Sequence, residues 1–170
     1  MPKIPSTELK YKVLEESDDL SKFDCSKNDP LEVNEFIHKE AIPFQKEKLG
    51  ITYLFFHHGE IVGFVTLAMS EIELTEVEEE PPFPLDIKHY PSLLIGQLGV
   101  DNKYQFRGVG KNICLWCLAL SRSLSTKIGC RFIIVYTLKG ISDFYKKCNF
   151  KIASKREAKQ KFFMYQQIPS

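Results

Sequence analysis

The sequence predicts an α/β protein in which a mixed β-sheet is flanked by helices. Stretches rich in β-branched and aromatic residues alternate with stretches whose apolar residues recur at helical spacing. Of the 170 residues, 44% are hydrophobic, including 13 Phe and 7 Tyr, which is enough for a sizeable core. This length is typical of one domain, so we expect a single domain over residues 1–170.

The first elements are a short edge strand over 10–15 and a helix that begins near Asp29. Asp29 can cap the helix, Pro30 suits the first helical position, and Glu32 completes a capping-box spacing. Pro43 is expected to end or kink this helix.

A β-hairpin is predicted next, because strand-like stretches at 51–57 and 61–69 flank His58-Gly59. From 71 to 91 the composition changes to seven acidic residues and four prolines against one lysine. This composition predicts an exposed acidic, Pro-rich loop.

The remaining chain completes the order β-α-β-β-loop-β-α-β-α-β-β, which is typical of a mixed sheet with helices on its faces. The predicted elements are a strand at 92–100, a helix at 108–127, a strand at 131–136, a helix at 141–148, and strands near 150–153 and 161–168.

Charge is distributed unevenly along the chain, although the net charge is only +1. Residues 1–96 contain 9 basic and 19 acidic residues, giving −10, whereas residues 97–170 contain 14 and 3, giving +11. The basic half indicates an anionic ligand, which could be nucleic acid, a nucleotide cofactor or an acidic partner protein.

Composition also bears on location and redox state. The sequence has neither an apolar run long enough to span a bilayer nor an export signal at its start, so we expect a cytoplasmic protein without membrane contact. Five cysteines are an odd number and too few for a disulfide scaffold, which indicates reduced thiols.

A glycine-containing turn, Q-F-R-G-V-G-K at 105–111, joins a predicted strand to a predicted helix. Two glycines let several backbone N–H groups face one space, and the start of the helix adds its dipole. Arg107 and Lys111 add positive charge, so the turn suits a pyrophosphate. The alternative is a turn that only tightens the connection. The glycine spacing fits neither a nucleoside triphosphatase nor a dinucleotide-binding motif.

Residues 98–110 resemble the acyl-CoA-binding motif of the GNAT acetyltransferase superfamily, in which [RQ]-x-x-G-x-[GA] follows the fourth strand. Residues 144–150, F-Y-K-K-C-N-F, resemble its second signature, Y-x-x-x-G-F. The resemblance covers roughly 50–168. The region around Phe23-Asp24-Cys25 also resembles a GNAT branch that includes toxins acetylating the amino group of aminoacyl-tRNA.

This resemblance implies a central, mixed, splayed sheet, acetyl-CoA as co-substrate and no metal. Tyr145 would be the general acid that protonates the departing CoA thiolate, and the backbone of strand residues near 98–100 would pair with the pantetheine arm. Backbone amides of the turn would hold the pyrophosphate. The implied cofactor-binding residues are Leu98, Gly99, Val100, Gln105, Phe106, Arg107, Gly108, Val109, Gly110 and Lys111.

The sequence departs from the family pattern at several positions. Asn149 replaces the glycine of the second signature, and asparagine is the next best residue for a left-handed helix end. Leu138 and Ile141 stand where many relatives have Asn and Ala. Residues 95–100 contain no acidic side chain to serve as general base. The candidates elsewhere, expected to lie in a solvated loop, are Glu71, Glu73 and His89.

The sequence thus favours a GNAT N-acetyltransferase, an acyltransferase that moves acetyl to a primary amine, either a small amine or a protein or peptide amine. Acetylation of aminoacyl-tRNA is an alternative that the acidic half weakens, and a non-catalytic acyl-CoA-binding module is another. A monomer and a homodimer both remain open.

Two other patterns are interpreted as structural. Cys114 and Cys117 lie in an apolar helical stretch and are expected to be buried small residues. His57 and His58 are interpreted as polar residues of the hairpin turn, since a zinc site would need further ligands.

Overall fold

A computed structural model describes residues 1–73, 87–153 and 161–170 of the chain. The chain divides into two compact units. The first contains Met1–Ala68 and Gly96–Trp116, and the second contains Met69–Ile95 and Cys117–Ser170. The single domain expected over residues 1–170 stays a prediction.

The seven strands form a mixed sheet, as the sequence predicted, and their order in the sheet is β1-β2-β3-β4-β5-β7-β6. The pairs β1/β2, β2/β3, β5/β7 and β6/β7 are antiparallel, whereas β4 and β5 are parallel. The strands are β1 (Lys10–Val13), β2 (Ile51–His57), β3 (Glu60–Glu73), β4 (His89–Val100), β5 (Phe132–Leu138), β6 (Lys151–Ile152) and β7 (Lys161–Gln167).

The helical elements confirm the predicted order of strands and helices, with shifts of a few residues at their ends. None of the helices in the described part of the chain combines the length and hydropathy that a membrane crossing requires. The elements are a 3-10 turn (Ser6–Glu8), α1 (Val33–Glu35), a π-helix (Phe36–Glu40), α2 (Ala41–Lys46), α3 (Val109–Leu124) and α4 (Lys139–Lys147).

The start of the first helix differs from the prediction. The Asp29 carboxylate accepts hydrogen bonds from the amides of Val33 at 2.9 Å and Asn34 at 2.8 Å, so it does cap the helix. However, α1 begins only at Val33, because Glu32 adopts a left-handed conformation with φ +55°. Pro30 therefore precedes the helix, and Glu32 makes no side-chain capping bond.

Of the two predicted outcomes, that Pro43 ends or kinks the helix, the first is wrong, because Pro43 lies inside α2. A proline in a regular helix lacks one N–H and crowds the carbonyl four residues earlier. Here the preceding turn is a π-helix in which the Ala41 amide bonds to Phe36 O. Because a π-turn is wider than an α-turn, it can accommodate the proline ring.

The acidic loop predicted over 71–91 does not occupy that whole range. Strand β3 runs to Glu73 and β4 begins at His89, while residues 74–86 lie outside the described residues. Within the acidic composition, Ile72 and Tyr90 are buried in the core of the second unit. These two apolar side chains keep both strand ends in the core.

Each unit has its own hydrophobic core. Leu14, Phe23, Ile37, Leu54 and Phe64 are among the buried residues of the first, and the second contains Ile72, Tyr90, Phe132, Ile134, Phe163 and Tyr165. All five cysteines are buried, which confirms the interpretation of Cys114 and Cys117. Burial raises the pKa of the Cys25 thiol to about 12 and also raises the pKa of Cys117 and Cys130.

Candidate functional site

The candidate site begins at a turn between β4 and α3, here called the β4–α3 turn (residues 101–111). Its first residue, Asp101, is buried. Its carboxylate accepts hydrogen bonds from the amides of Asp24 at 3.0 Å and Lys103 at 2.9 Å, and its carbonyl accepts one from Tyr104 at 2.8 Å. The entry to the turn is therefore fixed by a buried acidic residue.

Two residues of the turn have left-handed backbone conformations. Phe106 has φ +62° with a side chain that is 93% exposed, and Gly108 has φ +85°. A Cβ built on Gly108 would meet no neighbour within 4 Å other than Lys3 Cδ at 4.0 Å. The positive φ therefore favours glycine here, whereas close packing does not require it.

The amide groups of residues 105–111 point to a binding role for the turn. Among the described residues, none accepts a hydrogen bond of good geometry from these seven amides, and the next amide, Asn112, donates to Gly108 O at 3.0 Å. A turn that only tightened a connection would be expected to use some of these donors internally. At the start of α3, unengaged amides and the helix dipole together favour an anion.

Two cationic side chains belong to the same turn. The Arg107 guanidinium lies 5.3 Å from the centroid of the Tyr104 ring, and Lys111 is exposed. The Tyr104 hydroxyl donates to Glu60 Oε2 at 2.6 Å, and this hydrogen bond raises the pKa of Tyr104 and lowers the pKa of Glu60. Tyr104 therefore holds its proton firmly and is a poor candidate for an acid.

An N-terminal strap (residues 2–4) is bound along the turn and was not anticipated from the sequence. Ile4 donates its amide to Arg107 O at 2.9 Å and accepts a hydrogen bond from Asn112 Nδ2 at 2.8 Å. Arg107 Nε donates to Pro2 O at 3.1 Å. No local pattern could have revealed this, since the partners lie more than a hundred residues apart. The strap fixes the backbone just before Gly108.

Strand β4 supplies the other predicted cofactor-binding residues. Gly99 must be glycine, because a Cβ there would lie 2.5 Å from the Phe64 ring and 3.0 Å from Cys25 Sγ. Among the described residues, the β4–β5 ladder contains four pairs, from Ser92↔Phe132 to Ile95↔Val135. Strand β4 continues for five residues past this ladder, and its half-buried residues Leu98 and Val100 lie in that continuation.

Tyr145 lies in the last turn of α4, in the second unit. The Phe150 amide donates to Tyr145 O at 3.0 Å, and the Asn149 amide donates to Lys146 O at 3.0 Å. Asn149 has φ +68°, as expected for an asparagine replacing glycine at this position. The Tyr145 and Phe150 rings pack at 5.5 Å. These contacts form a Schellman motif, so the spacing of the second signature is explained by helix capping.

The candidate bases lie at strand ends, although the sequence suggested a solvated loop. Glu71 and Glu73 belong to β3, and His89 belongs to β4. His89 Nδ1 lies 3.3 Å from Glu71 Oε1, and both side chains are at least half exposed. The structure thus pairs two of the three candidates within the second unit.

A buried hydroxyl near the second signature was also missed by the sequence analysis. Thr137 precedes Leu138, which stands where many GNAT relatives have Asn, and Thr137 Oγ1 has no hydrogen-bond partner among the described residues. A buried polar atom without a partner is costly, so it is a candidate contact for a ligand. No motif distinguishes this threonine in the sequence.

The ten residues predicted to bind the cofactor all belong to the first unit, and Tyr145 belongs to the second. Their roles remain predictions at this point. The geometry described so far favours an anion at the β4–α3 turn and leaves the Tyr145 hydroxyl outside the capping hydrogen bonds of α4.

No protein-family model matches the sequence. The sequence is 25% identical over 145 residues to a tRNA-acetylating toxin of Mycobacterium tuberculosis (strain ATCC 25618 / H37Rv), covering 82% of each chain.

The structure is similar to several solved toxins. AtaT complexed with acetyl-methionyl-tRNAfMet matches with a TM-score of 0.76 at 22% identity, covering 91% of this chain and 93% of AtaT. A crystal structure of a bacterial toxin matches at 0.81 and 16% identity, covering 94% and 90%. AtaTR bound with AcCoA matches at 0.73 and 23%, covering 92% and 93%. The chain therefore has the GNAT fold that its two motifs predicted, and it shares this fold with acetylating toxins.

Proposed function

We propose that the chain is an acetyltransferase that moves acetyl from acetyl-CoA to the α-amino group of an aminoacyl-tRNA. The observation that carries the proposal is the row of seven amides at residues 105–111 that donate no well-formed hydrogen bond to the described residues, in a fold shared with AtaT complexed with acetyl-methionyl-tRNAfMet. The acceptor differs from the small or protein amine that the sequence favoured, because the sequence relative is a tRNA-acetylating toxin and AtaT was solved with an acetylated tRNA.

The turn and β4 would hold the cofactor. Amides of residues 105–111, with Arg107 and Lys111 beside them, would bind the CoA pyrophosphate through charge-assisted hydrogen bonds. Backbone groups of Leu98 and Val100, beyond the end of the β4–β5 ladder, would pair with the pantetheine amides as an added strand does. The N-terminal strap would keep the turn in its binding shape.

The reaction needs a nucleophile, a polarised thioester and an acid. The α-amino nitrogen attacks the acetyl carbonyl carbon, the tetrahedral intermediate expels the CoA thiolate, and a C–N bond replaces the C–S bond. The Tyr145 hydroxyl would donate a proton to the thiolate. A phenol with a reference pKa near 10 is close enough to a thiol near 8.5 for this transfer to be accessible.

The missing acidic residue on β4 is consistent with this acceptor. A peptide α-amino group has a reference pKa of about 8, against about 10.4 for lysine, so a useful fraction is neutral near pH 7.5 without a strong base. The ammonium proton can leave to water or to the His89–Glu71 pair. An α-amino acceptor therefore needs less help from the protein than a lysine side chain would.

Charge in the second half of the chain supports an RNA acceptor. Residues 97–170 contain three acidic residues. Asp101 is buried and engaged by backbone amides, and Asp143 lies 3.4 Å from the Lys146 ammonium. Glu157 lies outside the described residues. The described part of this half therefore presents mainly positive charge to solvent, which suits a phosphate backbone.

The proposal is tested by supplying labelled acetyl-CoA with a panel of acceptors at equal concentration. We expect label to enter aminoacyl-tRNA in preference to deacylated tRNA, free amino acids and a peptide with a free N-terminus. Turnover should fall steeply with added salt if the tRNA body is bound through its phosphates. Equal labelling of peptide and aminoacyl-tRNA would instead support a protein or peptide amine as the acceptor.

A binding module without catalysis predicts a different result. In that case acetyl-CoA would raise the melting temperature, but no acceptor in the panel would be labelled. Failure of acetyl-CoA to bind at all would instead overturn the role of the β4–α3 turn.

A further inference from the structure

Three potential metal ligands converge at the β2–β3 hairpin, where the His57 ring centroid lies 6.3 Å from that of Tyr104 in the β4–α3 turn. One oxygen of Glu8 and one ring nitrogen from each of His57 and His58 lie within 4.8 Å of one another. His57 Nε2 is 2.8 Å from Glu8 Oε2. The sequence analysis set aside a metal here for lack of a third ligand, and the fold supplies one from 49 residues away.

The local backbone explains why two consecutive histidines meet. In an extended strand, neighbouring side chains point to opposite faces. Here His57 is the last residue of β2, whereas His58 and Gly59 have φ +48° and +83°, the pair of positive angles of a tight hairpin turn. The His57 and His58 ring centroids are consequently 4.0 Å apart.

Glu8 is held at this place by its own neighbours. It ends the 3-10 turn Ser6–Glu8, and β1 follows at once and pairs with β2 through Lys10↔Phe56. This pairing places the end of the 3-10 turn beside the end of β2. The His57 ring is buried, whereas Glu8 and His58 are open to solvent.

We propose that Glu8, His57 and His58 bind a divalent first-row transition cation, with Zn²⁺ as the best match. Two imidazoles and one carboxylate form a donor set that suits zinc. Tetrahedral ligands at Zn–N distances near 2.1 Å are separated by about 3.4 Å, so small side-chain rotations complete the site. The fourth position faces solvent and takes water. The cation would replace the hydrogen bond between His57 Nε2 and Glu8 Oε2.

The two other histidines provide a contrast. His38 Nε2 lies 3.0 Å from Phe23 O, and His89 pairs with the single carboxylate of Glu71. Among the described residues, no second group of three His, Cys, Asp or Glu side chains comes as close together as Glu8, His57 and His58. His89 with Glu71 is therefore a matched control, with one imidazole and one carboxylate but no second imidazole.

A cation at this site would tie the segment that carries the N-terminal strap to the hairpin. The inference does not depend on acetyl transfer, since none of its three ligands belongs to the proposed acyl-CoA site. Its expected effect is on stability: a ligand that binds the folded state alone raises the melting temperature.

The test is a titration of the full-length, EDTA-treated protein with Co²⁺, which reports a low-coordinate N/O site by its visible absorbance, followed by competition with Zn²⁺. We expect one saturable equivalent in the wild type, displacement by Zn²⁺, and a melting temperature raised by Zn²⁺. His58→Asn keeps a residue suited to positive φ, and Glu8→Gln keeps the shape of the side chain. Each should weaken Co²⁺ binding roughly tenfold or more, whereas His89→Ala should not change it.

Two results would overturn the proposal. One is the absence of a saturable cobalt spectrum in the wild type. The other is binding that His58→Asn and Glu8→Gln leave unchanged, which would place the cation elsewhere on the chain. Neither result bears on acetyl transfer, which is assayed separately.

Discussion

The two signature turns of the chain are built in opposite ways. Both contain a left-handed residue, Gly108 with φ +85° in the β4–α3 turn and Asn149 with φ +68° at the end of α4. At Asn149 the capping groups bond to one another, because the amides of Asn149 and Phe150 donate to the carbonyls of Lys146 and Tyr145. Around Gly108, by contrast, seven consecutive amides have no well-formed acceptor among the described residues.

This difference separates a structural motif from a binding motif. The residue types at the end of α4 are accounted for by helix capping and by the packing of Tyr145 on Phe150. The amides of residues 105–111 in the β4–α3 turn have no comparable acceptors among the described residues, which supports the proposed pyrophosphate site. A turn residue with a left-handed backbone can thus serve the fold in one place and, as proposed, a ligand in another.

The largest expected effect comes from Tyr145→Phe, which keeps the ring in the Schellman packing and removes the hydroxyl. We expect kcat for acetyl transfer to fall by roughly 10² to 10⁴, the usual contribution of a general acid. The KM for acetyl-CoA should change little. Steady-state kinetics with a melting curve measure both, and unchanged turnover would make the second signature purely structural.

Gly108→Ala tests the proposed binding role of the β4–α3 turn. The added methyl group meets no protein atom closely, so the variant should fold. Its free energy of unfolding should be lower by about 1–2 kcal/mol, because alanine is strained at a positive φ. Because Gly108 lies within the turn proposed to hold the pyrophosphate, we expect the Kd for acetyl-CoA to rise roughly 10- to 100-fold, equivalent to one charge-assisted hydrogen bond. Calorimetric titration with acetyl-CoA measures the Kd.

The matched control for Gly108→Ala is Gly59→Ala, at a hairpin position with φ +83° and no atom within 4 Å of the added Cβ. It should carry the same backbone strain and leave acetyl-CoA affinity unchanged. If both variants lost acetyl-CoA affinity equally, backbone strain would explain the loss. The result would then not support a binding role that is specific to the β4–α3 turn.

The smallest effect is expected at Asn149, where the change should alter stability and spare affinity. Asn149→Ala should lower the free energy of unfolding by about 1 kcal/mol, whereas Asn149→Gly should match or slightly exceed the wild type. Urea unfolding at constant m-value measures this. A loss of acetyl-CoA affinity in Asn149→Ala without a loss of stability would show that this turn also serves the ligand.

The sequence predicted the elements whose causes are local. The hairpin at His58-Gly59 and the order of strands and helices follow from periodicity and turn residues, and the structure confirms them. The π-helix before Pro43 could not be predicted, because it results from a conflict between a proline and a helix that tertiary packing maintains. Ile72 and Tyr90 were not recognised as core residues, because they lie in a stretch of acidic composition, although both side chains are buried in the core of the second unit.

The sequence analysis ranked the aminoacyl-tRNA acceptor below a small or protein amine because net charge was counted along the chain. The −10 of the first 96 residues includes seven acidic residues between 71 and 91, and the +11 half includes Asp101, which is buried. A count along the sequence weighs a buried or clustered carboxylate like an exposed one. The surface that an RNA would meet is set by the fold, and no periodicity in the sequence encodes it.

The conformation of the β4–α3 turn depends on the N-terminal strap, which lies far from it in the sequence. Arg107 and Pro2 are 105 residues apart in sequence, so their contact closes a very long loop. During synthesis the strap leaves the ribosome before α3 and must wait for it before it can be bound. The ability to hold a nucleotide would therefore be acquired late in folding, so a nascent chain or a fragment without its first residues should be inert even where β4 and α3 have already formed.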